Sequence, residues 1–204
     1  MIDLFIDYFV AYINNRKPSF PAFSPNNLNV RFEDTAKKVF DIIDKKIRIC
    51  QNANTGSATF HNLLCLKIRF IDYENIIDQL PDRLQWQLKR CDFIAYDIDG
   101  NSFFILNELS QSNSSQTKLK DAIEQLYNTA LHLTRVKEIK DFINTKEKHQ
   151  CVFSNRNQTI INTPYGIADS FNIIENLLPN PIIHNNNRIN NLGFDLIETD
   201  HIFI

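Results

Sequence analysis

Two carboxylates carry the first chemical suggestion in this sequence. Asp92 opens an apolar, β-rich run, Asp92 to Ile98, and Glu108 lies near the end of a second, Ser102 to Leu109. Between the runs stands Asp99-Gly100-Asn101, which is turn chemistry for a hairpin. Antiparallel pairing across that turn brings the regions of Asp92 and Glu108 side by side. A pair of carboxylates open to water and to a phosphate suits Mg²⁺ or Mn²⁺. Such an ion acidifies an attacking water and neutralises charge on a scissile phosphodiester. Strand ends are also acidic simply to stay hydrated, and the pair taken alone is better read as a wet rim.

A calcium loop is the competing use of nearly the same residues. Asp97, Asp99, Asn101 and Glu108 stand at positions 1, 3, 5 and 12 of the EF-hand spacing. Ser102 occupies the place of its obligatory glycine, however, and the flanks read as strands rather than helices. A hairpin turn with exposed Asp accounts for them better. Five histidines, His61, His132, His149, His184 and His201, form no HxH or HxxxH pair, and His132 borders the apolar face of its helix as a partly buried structural residue would. Four cysteines, Cys50, Cys65, Cys91 and Cys151, form no CxxC or CxxH and read as reduced core residues, not as a zinc site or a disulfide frame. No GxSxG elbow, Walker glycine loop or GxGxxG is present.

Positioning these groups requires a sheet. Ile2 to Ile13 reads as a packed helix, joined to the rest of the chain by the proline-bearing stretch Lys17 to Asn29. Phe32, Ala36, Val39, Phe40, Ile43 and Ile47 recur at helical steps, which predicts an amphipathic helix over Val30 to Ile49, with Asn29 as cap and Lys37, Lys38, Asp41 and Lys45 outward. Leu64, Leu66, Ile68 and Phe70 alternate as in a strand, and Tyr73 to Arg90 reads as a helical insertion interrupted at Pro81. After the hairpin, Thr117, Lys118 and Lys120 open a helix with apolar Leu119, Ala122, Ile123, Leu126, Ala130 and Leu133. A charged stretch, a strand at Gln150 to Ser154, a pair around Thr159 to Asn162, a helix over Ala168 to Leu178 and a strand within Gly193 to Ile204 complete the order.

Arg90-Cys91-Asp92-Phe93-Ile94, followed by Phe104-Ile105-Leu106-Asn107-Glu108-Leu109-Ser110 in an α-β-β-β-α-β order, resembles the PD-(D/E)XK, or restriction-endonuclease-like, nuclease superfamily. The likeness covers residues 30 to 155. It implies an α/β fold with a central mixed sheet flanked by helices, one domain over 1–204: an N-terminal helix and linker at 1–29, the nuclease-like core at 30–155, and an extension at 156–204 packed on the core. It further implies Asp92 and Glu108 as ligands for Mg²⁺ or Mn²⁺, Glu33 as the auxiliary helical carboxylate, and Gln125 on the helix that faces the site. The family's catalytic lysine falls at Ser110, whose neutral hydroxyl cannot supply an ammonium's charge. Either Lys118 or Lys120 supplies the missing charge or the domain no longer cuts. On the plain reading both lysines are solvated first-turn residues, Lys120 pairing with Glu124 at i,i+4.

Composition sets the outer limits. The 204 residues are 43% hydrophobic with 16 Phe and 6 Tyr, too apolar for a disordered chain, and 4 Gly and 7 Pro exclude collagen-like and low-complexity classes. The net charge of −2 leaves no global basic field. A DNA partner must therefore meet local residues, Lys67, Arg69, Lys89 and Arg90 near the sheet, with further lysines at Lys37, Lys38, Lys45 and Lys46. The apolar start, Met1 to Ile13, is broken by Asp3 and Asp7 and lacks a basic opening, so no membrane or targeting segment and a cytoplasmic location are expected. Two functions fit: a metal-dependent nuclease acting on DNA, or a noncatalytic module of that fold binding a protein partner or nucleic acid.

Overall fold

In the computed structural model the residues described are 1–16, 18–43, 49–50, 56–85, 88–110, 115–156 and 180–204. The pair around Thr159 to Asn162 and the helix over Ala168 to Leu178 lie outside them. The fold is mixed α/β around a seven-stranded mixed sheet. Its strands are β1 (Phe32–Thr35), β5 (Ile68–Asp72), β6 (Phe93–Asp97), β7 (Phe103–Ser110), β8 (Lys148–Asn155), β9 (Ile182–His184) and β10 (Asp195–Glu198), in the spatial order β1-β5-β6-β7-β8-β10-β9. β1, β5, β6 and β7 pair antiparallel in succession, β8 joins β7 parallel, β10 joins β8 parallel, and β9 closes the edge antiparallel. Four further strands, β2 (Val39–Ile42), β3 (Ile49–Cys50), β4 (Ala58–His61) and β11 (His201–Phe203), form a second sheet of order β11-β4-β2-β3.

Strand alternation divides the core between two faces. In β7, Phe104 and Leu106 pack with the helices, whereas Phe103, Ile105 and Leu109 pack toward the second sheet. The helical layer contains α1 (Ile2–Leu4), a π turn (Phe5–Phe9) and α2 (Val10–Arg16), then α3 (Tyr73–Asp78), α4 (Asp82–Gln85), α5 (Ser115–Thr134), α6 (Lys137–Asn144) and α7 (Asn187–Asn190). α5 lies over β7 and β8, and with α6 makes the crossover that parallel strands need. Phe5, Phe9 and Ile13, four apart, are the buried stripe of the N-terminal helix, as its sequence predicts. On the opposite face Phe40, Phe60 and Phe70 join the sheets: Phe40 stacks on Phe60 at 5.5 Å, and Phe70 meets both edge-on at 5.6 and 5.0 Å. Each such pair adds about 0.5–1.5 kcal/mol beyond the area it buries.

Several expectations are corrected. Val30 to Ile49 is not a helix: Phe32–Thr35 and Val39–Ile42 are strands in different sheets. The supposed apolar face is split, Phe40 being fully buried but Phe32 and Val39 exposed, while Asp41, expected outward, is fully buried. The reason is a partner 115 residues away. Arg156 reaches Asp41 at 3.2 Å, and the same carboxylate accepts the Gly56 N–H at 2.7 Å and the Thr59 hydroxyl at 2.6 Å. A Cβ at Gly56 would stand 2.6 Å from the Ile42 carbonyl oxygen, so the close approach of this turn to β2 requires glycine. The strand expected from Leu64 begins only at Ile68. Asn62 closes a turn onto both backbone groups of Leu66, at 2.8 and 2.9 Å, with Cys65 at φ 54° and Leu64 in solvent. The charged stretch after α5 is itself a helix, α6, whose Ile139 and Ile143 are buried. The insertion broken at Pro81, the hairpin, α5 and the strand within Lys148–Asn155 are as expected. The C-terminal stretch supplies two strands, one to each sheet.

His132, on α5, is buried as expected. The Tyr12 hydroxyl lies 3.0 Å from its Nδ1 and the Arg16 guanidinium 3.1 Å from its Nε2, which joins the N-terminal helix to α5. Burial, then the charges of Arg16 and Arg135, press its pKa down to about 4. A folded pKa below the ordinary 6.5 means that the contribution is fully present above 6.5 and is lost as pH falls from 6.5 toward 4. A proton NMR titration is expected to show the His132 ring neutral until near pH 4, and urea unfolding of His132→Gln is expected to be flatter than wild type across that window.

Candidate functional site

The end of β6 and β7 farthest from the hairpin turn gathers most of the residues singled out by sequence. Phe93 pairs with Asn107, and the Asp92 N–H also donates to the Asn107 carbonyl at 3.1 Å. Asp92 stands in a bend immediately before β6, where the ladder with β7 ends. The Asp92 carboxylate accepts the Leu109 N–H at 2.6 Å, one residue from Glu108. Both carboxylates act on the buried Cys91 thiol, whose pKa is raised well above its ordinary value by burial first and then by Glu108 and Asp92.

Glu108 lines a cavity of about 530 Å³. Its floor is Glu108, Leu109 and Ser110 with Phe153, the register partner of Glu108 on β8. One wall is Glu74, Lys89 and Arg90, and the other is Lys118, Asp121, Ala122 and Gln125. These four α5 residues fall at steps of 3, 4 and 7, one helical face turned to the sheet. The opposite wall is held by backbone: Asp72 caps α3 through the Asn75 N–H at 2.8 Å, the Tyr73 and Glu74 N–H groups donate to the Asp92 carbonyl at 3.0 and 3.3 Å, and the Cys91 N–H donates to the Thr129 hydroxyl of α5 at 3.0 Å. Arg90 pairs with Asp78 and lies 3.8 Å from Glu74.

The candidates separate clearly by place. Glu108, Ser110, Lys89, Arg90, Lys118 and Gln125 share the cavity, and Asp92 adjoins it through Leu109. Lys120 does not line it; its charge acts on Glu124, which is bound by Arg188 instead of pairing with Lys120 alone. Glu33 is corrected from helix to strand: it lies on β1 opposite Phe70, on the face of the second sheet, and accepts the Ile49 N–H at 3.2 Å. Arg69 is engaged by both oxygens of Asp34 at 2.7 Å and stacks on Phe32 at 4.2 Å. It pairs with Tyr96, and so with Phe104, four residues from Glu108, about 13 Å along the strand. Lys67 lies farther still in the same direction and is exposed. Sequence reasoning missed Glu74 and Asp121 as lining carboxylates. The signal for Asp121 was its step of three from Lys118; for Glu74, whose neighbour is 34 residues away, there was none.

The EF-hand-like residues do something else. Asp97 is buried, and its carboxylate accepts the Ser102 N–H at 3.0 Å and meets the Lys146 ammonium at 3.1 Å. That ammonium also donates to the carbonyls of Asp97, at 2.8 Å, and Gly100, and faces Phe142 at 5.2 Å. Lys146 thereby supplies from α6's far end the positive charge that a bound cation would supply to such a turn. Burial pushes the Asp97 carboxyl up, but the Ser102 N–H and Lys146 outweigh it and leave its pKa below the ordinary range. Among the described residues no group of three or more His, Cys, Asp or Glu side chains is arranged to hold a metal ion. Cys91 and Cys151 are buried thiols and Cys65 is an exposed one.

No protein-family model, curated protein or solved structure matches this chain. Among the described residues no helix is long and apolar enough to cross a membrane.

Replacing Lys146 by Met leaves Asp97 buried without its cation. It is expected to cost about 3–5 kcal/mol in urea unfolding, with Lys146→Met and Asp97→Asn combined costing less than the sum of the two. Calcium is expected not to restore the Lys146→Met midpoint.

Proposed function

We propose that this chain is a nuclease-like protein of the PD-(D/E)XK kind, in which Asp92 and Glu108 bind Mg²⁺ or Mn²⁺ and the adjoining cavity receives a DNA phosphodiester. The observation that carries this reading is the link between the Asp92 carboxylate and the Leu109 N–H. It ties two acidic side chains, one just before β6 and one on β7, to the floor of a cavity faced by a lysine-bearing helix. The antiparallel β5-β6-β7 succession, the α5 crossover and a parallel β8 support the β-β-β-α-β part of the resemblance, while strands β1 and β2 stand where its first helix was expected. The donor set fits the ion: two hard carboxylates, with water and phosphate oxygens completing the shell, is the manner in which Mg²⁺ is commonly held. The ion supplies a more acidic water and charge neutralisation. Lys118, on the cavity wall, takes the electrostatic role left open by Ser110, and Lys89 and Gln125 orient the phosphate from either side.

A second reading has its own support. Ser110 stands at the lysine position, and the Asp92 carboxylate is already engaged by a backbone N–H. A noncatalytic module that binds nucleic acid or a protein through this cavity is consistent with both.

Calorimetric titration with Mn²⁺ at low salt separates them. The nuclease reading expects binding in wild type, with or without DNA, that Glu108→Ala abolishes, and metal-dependent cleavage that Lys118→Ala slows by roughly 10²-fold while Lys120→Ala does not. Mn²⁺ binding that is absent even with DNA, or indifferent to Glu108, would leave only the module.

A further inference from the structure

We infer that His61 and His201 form a proton-sensitive clasp that fastens the C-terminal strand β11 to β4. β11 runs parallel to β4, with His201 opposite Thr59 and Phe203 opposite His61. Across this pair His61 Nε2 and His201 Nδ1 lie 3.0 Å apart, and the His61 ring stacks on Phe203 with centroids at 4.4 Å and planes 9° apart. A nitrogen–nitrogen hydrogen bond needs one N–H and one bare nitrogen. Two neutral rings provide them, and so does one imidazolium facing one neutral ring. Two imidazoliums set N–H against N–H and charge against charge, and the bond is lost.

The charged groups around the pair come from three places. Asp41 on β2 and Asp200, just before β11, favour a charged ring, and Arg156, after β8, opposes it. Arg156 is itself bonded to both carboxylates, at 3.2 Å to Asp41 and 3.1 Å to one oxygen of Asp200, while the other Asp200 oxygen stands 4.0 Å from His201 Nε2 as a distant counter-ion that burial outweighs. Burial is the main influence on both rings; His201 adds to it at His61 and Arg156 at each, and both rings lie below the ordinary 6.5. The bond survives the first proton and is lost with the second; because both rings lie below 6.5, the contribution of the clasp is fully present above pH 6.5 and declines below it as the second ring is protonated. What it holds is short: beyond the strand ladder, the Ile204 N–H donates to the His61 carbonyl at 3.1 Å, and the other bonds, from Thr59 and Arg156 to Asp200 and between Thr199 and His201, lie at or before the first residue of β11. Release of β11 uncovers the buried Ile202 and an edge of the second sheet.

Hydrogen–deuterium exchange on the full chain at about pH 8 and about pH 5, corrected for intrinsic rates, tests the clasp without reference to any activity. Protection of amides 201–204 is expected to fall about tenfold or more at the lower pH, while β6 and β7 keep theirs. In His61→Gln and in His201→Gln, each removing one titrating ring, that pH difference is expected to shrink to under about twofold. Equal protection of 201–204 at both pH values in wild type would overturn the clasp, and so would a full pH difference retained in both variants. Should either variant fail to fold, imidazole NMR titration of wild type decides: midpoints below 6.5 for both rings are expected, and ordinary midpoints for both overturn it.

Discussion

The guanidinium of Arg156 is the group on which the joining of the two sheets depends. A guanidinium has five N–H groups, and buried here it must satisfy them all within the protein. Its Nε donates to Asp200 at 3.1 Å, one terminal nitrogen to Asp41 and the Gly56 carbonyl at 3.2 Å each, and the other to the Thr59 hydroxyl at 2.7 Å and the Asp200 carbonyl at 3.0 Å. Those partners belong to β2, to the turn before β4, to β4 and to the approach to β11, whereas Arg156 itself follows β8 of the larger sheet. Its own N–H donates to the Ser110 carbonyl at 3.1 Å. The last residue of β7, which lines the cavity, is thus one backbone bond from the junction that holds the second sheet in place. The net stability of such a buried cluster is small, because desolvation offsets much of the attraction, but removal of one member leaves an uncompensated charge.

A second buried cation organises the opposite end of the same strands. Lys146 fills the turn between β6 and β7, and Gly100 is required there because a Cβ would stand 2.5 Å from an Asp97 carboxylate oxygen. With the turn closed by Lys146 and the far end tied by the Asp92 carboxylate to the Leu109 N–H, the register of β6 on β7 is pinned at both ends. Register decides which side chains reach which face. That is why Glu108 stands with the helices and Asn107 stands with the second sheet, where its amide donates to Val152 and Ser154 at 3.0 and 3.1 Å.

The cavity is therefore assembled from parts of different rigidity. Its floor belongs to the central strand β7 and its parallel neighbour β8, both largely buried. One wall is a face of a twenty-residue helix, and the other is a short helix and loop tied down by the Asp92 carbonyl and Thr129. Its charges are three carboxylates against three cations, so selectivity for an anionic ligand has to come from placement or from a bound cation rather than from net field.

Local chemistry in the sequence was enough for the elements whose pattern is self-contained. Phe5, Phe9 and Ile13 repeat at four and make a helix, Asp99-Gly100-Asn101 separates two β-rich runs and makes a hairpin, and the α5 stripe predicts both its helix and the face that carries Lys118 and Gln125. Candidate residues near the hairpin could therefore be picked out before any coordinates. Tertiary structure alone decided the rest, wherever a polar residue was buried against a distant partner. Asp41 looks like the solvent side of a helix until Arg156, 115 residues on, accepts it into a core, and Glu33 looks helical until β5 pairs with its strand. Leu64 reads as strand until Asn62 turns the chain, and Glu74 is silent until the backbone of Asp92 brings it to Glu108. Periodicity reports only which side chains share a face locally. Which face becomes interior depends on hydrogen bonds and ion pairs between segments far apart in the chain, and no local pattern encodes those.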